Sequence, residues 1–343
     1  RDFCLSRGLG DVYKRQMYTK EIYNGLLKSI AKCIDISDEM FEAAEKTYKD
    51  LGKWIDRETP DYEISIYPQG SFALGTVVRP ITNADDYDLD IVCQFKKQYG
   101  LTAKELKVDV VKPLLVRYKK ASNEIEEKKR CWHIEYDEVP NFHIDVIPAC
   151  AYGSAIQITD HNEDDDIYDY LGSNPSGYVK WFFDACAKQR NRLYDQYVKE
   201  HRMVVDQADV EDVKRRKVKT PLQRVVQILK RHRDIKFADD NSGNKPISII
   251  ITTIAGRLYE EEDNIYDALS NILSKAPSWI MDNRKGQQFY IENPSYEGEN
   301  FADKWNTHPE RANAFLQWLD TARKDLVDSR LLQYNRIEMG NHL

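Results

Sequence analysis

The sequence predicts an α+β fold, in which a small mixed sheet flanked by helices is followed by an all-helical C-terminal half. Residues 62–70 alternate apolar and polar side chains and stop at a proline and a glycine, as a half-buried strand that enters a turn does. Apolar segments at 88–95 and 141–148 predict two further strands. In residues 221–233 the apolar side chains recur at i, i+3, i+4 and i+7, which indicates an amphipathic helix.

The remaining elements follow from the same patterns. The predicted helices are 18–35, 38–58, 103–119, the stretch from Pro175 through Glu200, an apolar segment at 245–253, and 309–328. Two more strands are predicted at 131–136 and 154–159. The first of them forms a hairpin with residues 142–147, which belong to the strand segment 141–148 named above. Pro113 is expected to bend or to start the helix that contains it, because proline cannot donate a backbone hydrogen bond.

A turn at Gln69, Gly70 and Ser71 follows the first predicted strand. Gly70 allows the backbone to approach a ligand closely, and Ser71 adds a hydroxyl beside free backbone N–H groups. If a short helix begins here, its N-terminal N–H groups and dipole form an anion site. Taken alone, the same residues also fit an ordinary turn. The motif therefore predicts a phosphate site only in combination with the residues that follow.

Two aspartates mark the next strand. Asp88 and Asp90 alternate along it, so both carboxylates project from one face. Two neighbouring carboxylates raise each other's pKa, and a metal ion is the usual means of keeping both ionised. Hard oxygen ligands favour Mg²⁺ or Mn²⁺ over zinc. The alternative is an acidic strand entry that faces solvent, since residues 83–86 resemble an exposed acidic loop.

Asp145 lies inside the apolar segment 141–148. An aspartate is rarely buried without a partner, so we expect it to pair across the sheet with Asp88 and Asp90. Three carboxylates can hold two cations, which activate an attacking hydroxyl, neutralise a triphosphate and stabilise the leaving pyrophosphate. Asp145 could also help to deprotonate the attacking hydroxyl.

This combination resembles the signature of the DNA polymerase β-like nucleotidyltransferases, a Gly-Ser turn followed by Asp-x-Asp and a later acidic residue. Within them, the turn, Arg79-Pro80 and the aspartate pair are most similar to the bacterial cGAS/DncV-like nucleotidyltransferases (CD-NTases) of CBASS anti-phage defence. Pairing Asp86 with Asp88 would match the shorter spacing of animal cGAS. The pair Asp88 and Asp90 is preferred because an unbroken apolar run follows Asp90.

The resemblance implies a polymerase β-like core and an oligoadenylate-synthase-like C-terminal helical lobe, with the active site in the cleft. It implies an enzyme that joins NTPs (ATP, with GTP or UTP as further candidates) into a cyclic di- or trinucleotide second messenger, using two Mg²⁺ or Mn²⁺ ions and releasing pyrophosphate. By position, Lys230 and Ser248 would contact the triphosphate. Lys230 could instead be a solvated helix charge. A monomer and a regulatory protein encoded in the same operon are also expected.

The predicted organisation has three parts. Residues 1–16 are expected to be a non-native extension, because they lack an amphipathic pattern and the first predicted helix begins near Met17. Residues 17–172 form the nucleotidyltransferase core with its N-terminal helices. Residues 173–343 form the helical lobe that completes the nucleotide-binding cleft.

Net charge, hydropathy and cysteine content argue against several classes of function. The net charge of −7 argues against a general nucleic-acid-binding surface. No long uncharged apolar run predicts a membrane span. The six scattered cysteines predict reduced thiols in a cytosolic protein. The seven histidines show no metal-ligand spacing. His143 lies on the same strand face as Asp145 and could border the metal site, or it could have a packing or hydrogen-bonding role only.

Three other functions remain open at the level of the sequence. The chain could transfer nucleotides to RNA, to a protein or to a small molecule, although RNA addition should need an extended basic groove. It could be a sensor activated by nucleic acid, but no zinc-finger spacing or basic arm supports that. It could be an inactive binding protein, which the presence of all three carboxylates and the turn disfavours.

Overall fold

The computed structural model describes residues 20–81, 87–118, 125–135, 142–201 and 218–328. They fall into two compact units. The sheet unit comprises Asp35–Phe183 and Asn293–Glu299, and the helical unit comprises Asp184–Glu292, the described residues up to Ile34 and those from Asn300 onward. The boundary predicted from the sequence lies after residue 172, and that prediction groups the first helix with the sheet. The predicted extension 1–16 lies outside the described residues.

The sheet unit is built on one mixed sheet, as predicted. Its strands are β1 Ile64–Pro68, β2 Tyr87–Phe95, β3 Ile125–Glu127, β4 Trp132–Glu135, β5 Phe142–Tyr152, β6 Ala155–Asn162 and β7 Ile167–Ser173. The strand order is β1-β2-β5-β4-β3, with β6 paired to both β5 and β7. Strands β2 and β5 run parallel, and the other pairs are antiparallel.

Strands β3 and β7 were not predicted. Strand β3 has only three residues, two of which are glutamates, so it carries almost no apolar signal. Strand β7 lies at an edge of the sheet and has no fully buried residue. The acidic run 163–166 just before it is exposed, as expected. Short or edge strands are therefore the elements that apolar alternation fails to reveal.

The helices are α1 at residues 20–33, α2 Asp38–Glu58, α3 Gly70–Leu74, α4 Lys112–Tyr118, α5 Pro175–Asp184, α6 Ala187–His201, α7 Pro221–Lys236, α8 Ser248–Leu258, α9 Ile265–Asp282, α10 Asp303–Thr307 and α11 Pro309–Arg323. A π-helical segment, Glu105–Val111, precedes α4, and another, Lys324–Asp328, follows α11. Pro113 is the second residue of α4 and comes directly after the π-helical segment, so the hydrogen-bond pattern of the helical run changes immediately before the proline.

The single long helix predicted from Pro175 through Glu200 is wrong, because α5 and α6 are separate helices. A turn at residues 185–186 divides them. Cys186 is fully buried there, and its carbonyl accepts the Arg190 N–H at 2.9 Å, which starts the second helix. Neither a glycine nor a proline marks the break, so the sequence offered no local signal for it.

The main core of the sheet unit covers one face of the sheet. Leu89 and Ile91 of β2 are fully buried, and Ile144 of β5 lies beside them. Helix α2 packs on this core through Leu51 and Ile55, which are also fully buried. Burying each such side chain contributes about 1.5–3 kcal/mol. Because side chains alternate along a strand, the residues of β2 and β5 between these buried ones project from the opposite face of the sheet.

A buried lysine connects the π-helical segment to the turn between β3 and β4. The side chain of Lys107 is completely buried and forms an ion pair with Glu127 at 3.1 Å. Its ammonium also donates to the carbonyls of Lys128 at 2.6 Å and Lys129 at 3.0 Å. Burial lowers the pKa of Lys107, and the pair with Glu127 opposes that shift. The ammonium of Lys107 thus holds the turn to the π-helical segment.

We expect Lys107→Ala to lower the free energy of unfolding by about 3 kcal/mol, because it leaves two carbonyls and a carboxylate without their buried donor. Urea unfolding followed by circular dichroism measures the loss. Lys104→Ala is the matched control: its side chain is 54% exposed and pairs with an exposed aspartate, so a change of about 0.5 kcal/mol is expected. Equal losses in the two variants would contradict this role for Lys107.

Helix α7 of the helical unit begins with a capping box. The hydroxyl of Thr220 accepts the Gln223 N–H, and the Gln223 side chain accepts the Thr220 N–H at 2.8 Å. The apolar face predicted for this helix is buried; it consists of Leu222, Val225, Val226 and Leu229. Helix α8 is also buried over most of its length, as predicted. In the ranges that the structure describes, no helix combines the length and apolarity needed to cross a membrane.

Candidate functional site

The three predicted aspartates project from one face of two neighbouring parallel strands. In the register of β2 and β5, Asp90 lies opposite Asp145, and Asp88 lies opposite His143. Leu89 and Ile144, between them, point into the buried core. The Asp88 side chain is 58% exposed and that of Asp145 is 23% exposed. The parallel pairing therefore gathers these carboxylates on a face that solvent and ligands can reach. We call it the carboxylate face.

Strand β4 adds further polar groups to this face. His133 lies opposite Asp145, and Glu135 lies opposite His143. The His133 Nδ1 atom is 2.8 Å from Asp145 Oδ1, and His143 Nε2 is 2.8 Å from Asp88 Oδ1. Each of two carboxylates is thus held by an imidazole, which restricts its orientation.

The predicted turn stands beside Asp90. The Gln69 N–H donates to the Asp90 carbonyl at 2.8 Å, and α3 begins at Gly70 immediately afterwards. Gly70 has φ +58°, and a β-carbon at this position would collide with the Asp90 carboxylate. Only glycine therefore allows this approach. Ser71 is the second residue of α3, where backbone N–H groups have no partner within the helix.

The short helix α3 is anchored by aromatic packing. Phe72 is 1% exposed and stacks on Phe41 of α2, with ring centroids 4.7 Å apart. Gly75 ends the helix with φ +65°, and its N–H donates to the Phe72 and Ser71 carbonyls. The turn is consequently held between the core and the carboxylate face, which fixes the direction of its N–H groups.

Beyond the carboxylates, the same face becomes apolar. Val92 and Ala149 are fully buried there and belong to a small second core. Cys131, the residue before β4, packs against this core. Burial, and then the negative charges of Asp145 and Asp90, raise the pKa of the Cys131 thiol, so it stays protonated. The polar groups thus occupy one end of the face.

Lys230 and Ser248 belong to the helical unit. Lys230 lies on α7 and is only 7% exposed, so it is not the solvated charge considered as an alternative. Ser248 is the first residue of α8, and its hydroxyl accepts a hydrogen bond from Arg233 Nη1 at 2.8 Å. Asp86, which was the alternative partner of Asp88, lies outside the described residues.

The sequence did not reveal the pairing of His133 with Asp145. Ten positions separate His133 from His143, so no ligand spacing appears along the chain. The two imidazoles meet only because β4 and β5 pair in the observed register, with ring centroids 4.3 Å apart. The predicted hairpin of these two strands could have indicated this contact, since residues that lie opposite each other in paired strands project from the same face.

Comparison with known proteins identifies the family. The model of the nucleotidyltransferase domain described as cyclic GMP-AMP synthase DncV-like matches residues 64–148, which contain the turn and the three aspartates. Over 313 residues the chain is 30% identical to a c-di-GMP synthase of Roseivirga ehrenbergii, covering 88% of this chain and 78% of that protein.

Solved structures agree in fold. CdnG of Bradyrhizobium diazoefficiens, a CD-NTase solved in complex with GTP, superposes with a TM-score of 0.65 at 23% identity, covering 87% of this chain and 91% of CdnG. CdnE of Elizabethkingia meningoseptica, a cyclic dinucleotide synthase, gives 0.54 at 16% identity, with 85% and 99% covered. The polymerase β-like mixed sheet with flanking helices predicted from the sequence is therefore confirmed. The match to the family model and the 30% identity with the Roseivirga protein show that the chain belongs to the DncV-like nucleotidyltransferase (CD-NTase) family.

Proposed function

We propose that this chain joins nucleoside triphosphates into a cyclic dinucleotide and releases pyrophosphate. The observation that carries the proposal is the carboxylate face, where Asp90 and Asp145 lie opposite each other beside the turn at Gly70. The relatives support the product class, because one is named a c-di-GMP synthase and another was solved with GTP. GTP is therefore our first candidate substrate, and ATP and UTP are the next.

The residues suit divalent cations. Asp88, Asp90 and Asp145 offer carboxylate oxygens on one face, the ligand type that Mg²⁺ and Mn²⁺ prefer. Two cations held by them would neutralise the triphosphate and promote ionisation of the attacking hydroxyl. The N–H groups at Gly70 and Ser71 would bind phosphate oxygens from the other side.

In the proposed reaction, a ribose hydroxyl oxygen of one nucleotide bonds to the α-phosphorus of the next. The bond from that phosphorus to the bridging oxygen breaks, and pyrophosphate leaves with the electron pair. Asp145 accepts the hydroxyl proton, and the hydrogen bond from His133 to Asp145 keeps this carboxylate oriented. A second transfer within the linear intermediate closes the ring.

Residues of the helical unit would complete triphosphate binding. We propose that Lys230 contributes a positive charge and Ser248 a hydroxyl, as the family resemblance implies. The low exposure of Lys230 supports a binding role, because packing limits the positions that its ammonium can take. We further propose that the product is a second messenger in cytoplasmic anti-phage signalling and that a regulatory protein encoded nearby controls its synthesis.

Incubation with every combination of α-³²P-labelled NTPs, with Mg²⁺ or Mn²⁺, tests the proposal. After phosphatase treatment we expect a resistant product, which identifies a cyclic molecule, and the NTPs it requires name its bases. Chelation of the metal with EDTA should abolish it, because the carboxylates alone would repel the triphosphate. A product that is wholly phosphatase-sensitive under both metals would contradict ring closure and favour transfer to RNA, a protein or a small molecule.

A further inference from the structure

Two imidazoles stand side by side on the carboxylate face. The side chains of His133 and His143 are 18% and 15% exposed, and each contacts a carboxylate at 2.8 Å. Among the residues described, His133, His143 and Asp145 each offer one ligand atom, and these three atoms lie within 4.8 Å of one another. The face therefore contains nitrogen donors as well as the oxygen donors that the proposed reaction needs.

We propose that His133, His143 and Asp145 form a binding site for one transition-metal ion in the nucleotide-free protein. Imidazole nitrogen favours Co²⁺, Ni²⁺ and Zn²⁺, whereas Mg²⁺ prefers oxygen ligands alone. Two ligand atoms that are each about 2.1 Å from one octahedral ion lie about 3.0 Å apart, close to the 2.8 Å between His133 Nδ1 and Asp145 Oδ1. The third donor, on His143, lies within 4.8 Å of the other two and would have to move closer as the ion binds.

The site has a consequence for the proposed function. An ion bound by the two histidines also uses Asp145, so it competes with Mg²⁺ for a carboxylate of the proposed reaction. Zn²⁺ or Co²⁺ would then inhibit product formation at concentrations far below that of Mg²⁺. Binding itself does not depend on nucleotidyl transfer and can be measured without any nucleotide.

Titration of the tag-free, nucleotide-free protein with Co²⁺ tests the site, followed by visible d–d absorption and by calorimetry. We expect one equivalent to bind to the unmodified chain, and the double variant His133→Gln/His143→Gln to bind at least about 100-fold more weakly, because it loses two of three ligands. His308→Gln is the matched control, since His308 is exposed and pairs only with Glu310 among the contacts described. Asp90→Asn should also retain Co²⁺ binding.

Two results would overturn the inference: no stoichiometric Co²⁺ binding by the unmodified protein, or equal affinity in the double variant and the His308→Gln control. If the double variant does not fold, X-ray absorption of the Zn²⁺-loaded unmodified protein decides, because two imidazole nitrogens should appear in the first shell. A shell of oxygen alone would mean that the imidazoles only orient the carboxylates. Cyclic product without Co²⁺ binding would contradict this inference alone, whereas Co²⁺ binding without product would contradict only the proposed function.

Discussion

Replacement of Asp88 and Asp90 together by asparagine is expected to abolish detectable product while the chain stays folded. Both carboxylates project from the exposed side of β2, so their loss leaves the buried residues of that strand in place. Metal-assisted charge stabilisation contributes several kcal/mol to such transfers, and each 1.4 kcal/mol is a factor of ten in rate, so activity should fall about 10³-fold or more. Quantification of the phosphatase-resistant product measures this fall.

The matched control is Asp164→Asn/Asp165→Asn. It makes the same chemical change at two adjacent aspartates in the exposed turn between β6 and β7. It should leave product formation unchanged. Thermal unfolding of the control should agree with the unmodified chain within a few degrees, since exposed substitutions alter stability by about 0.5 kcal/mol or less. The Asp88/Asp90 variant should also unfold cooperatively, because asparagine keeps the size of aspartate at the half-buried position 90. Substantial activity in the Asp88/Asp90 variant would refute the assignment of these residues.

Gly70→Ala is expected to disable the site in a different way. Alanine at φ +58° costs about 1–2 kcal/mol of stability, and its methyl group would also displace the Asp90 carboxylate. Because misplacing a reacting group by about 1 Å can cost 100-fold in rate, we expect activity to fall by at least about 10²-fold. Product yield and urea unfolding measure the two effects separately.

Gly153→Ala separates the steric effect from the conformational one. Gly153 has the same φ of +58°, but nothing lies within 4 Å of the β-carbon that the substitution adds. This variant should lose about 1–2 kcal/mol of stability and keep its activity. If Gly70→Ala and Gly153→Ala lost activity to the same small extent, the close approach between the turn and Asp90 would be unimportant for function.

Local patterns were enough to predict much of the sheet unit. Strands β1, β2 and β5 were predicted because their apolar residues alternate or run together, and the same alternation placed Asp88 and Asp90 on one face. Their proximity to Asp145 is observed, and their catalytic role stays a prediction. Helix α7 was predicted from its apolar period, and its burial follows from that period.

Features that depend on distant contacts could not be predicted. His133 reaches Asp145 only through the register of the β4–β5 pair, which no local signal specifies. The break between α5 and α6 lies at Cys186, a fully buried residue, and no helix-breaking residue stands there. Likewise, the first helix joins the helical unit through contacts such as the one from Tyr23 to the Leu326 carbonyl, which span most of the chain.

The pairing of β2 with β5 also bears on how variants far from the carboxylates would behave. Side chains alternate in a strand, so a slip of one residue would turn Asp145 into the core and expose Ile144 and Val146, which are now fully buried. Exposing two such side chains would cost about 3–6 kcal/mol, so the slipped pairing is rare. The apolar face of the sheet thereby specifies the alignment of the polar face. Replacing Ile144 by a larger or a polar residue can therefore abolish activity, although Ile144 itself takes no part in the reaction.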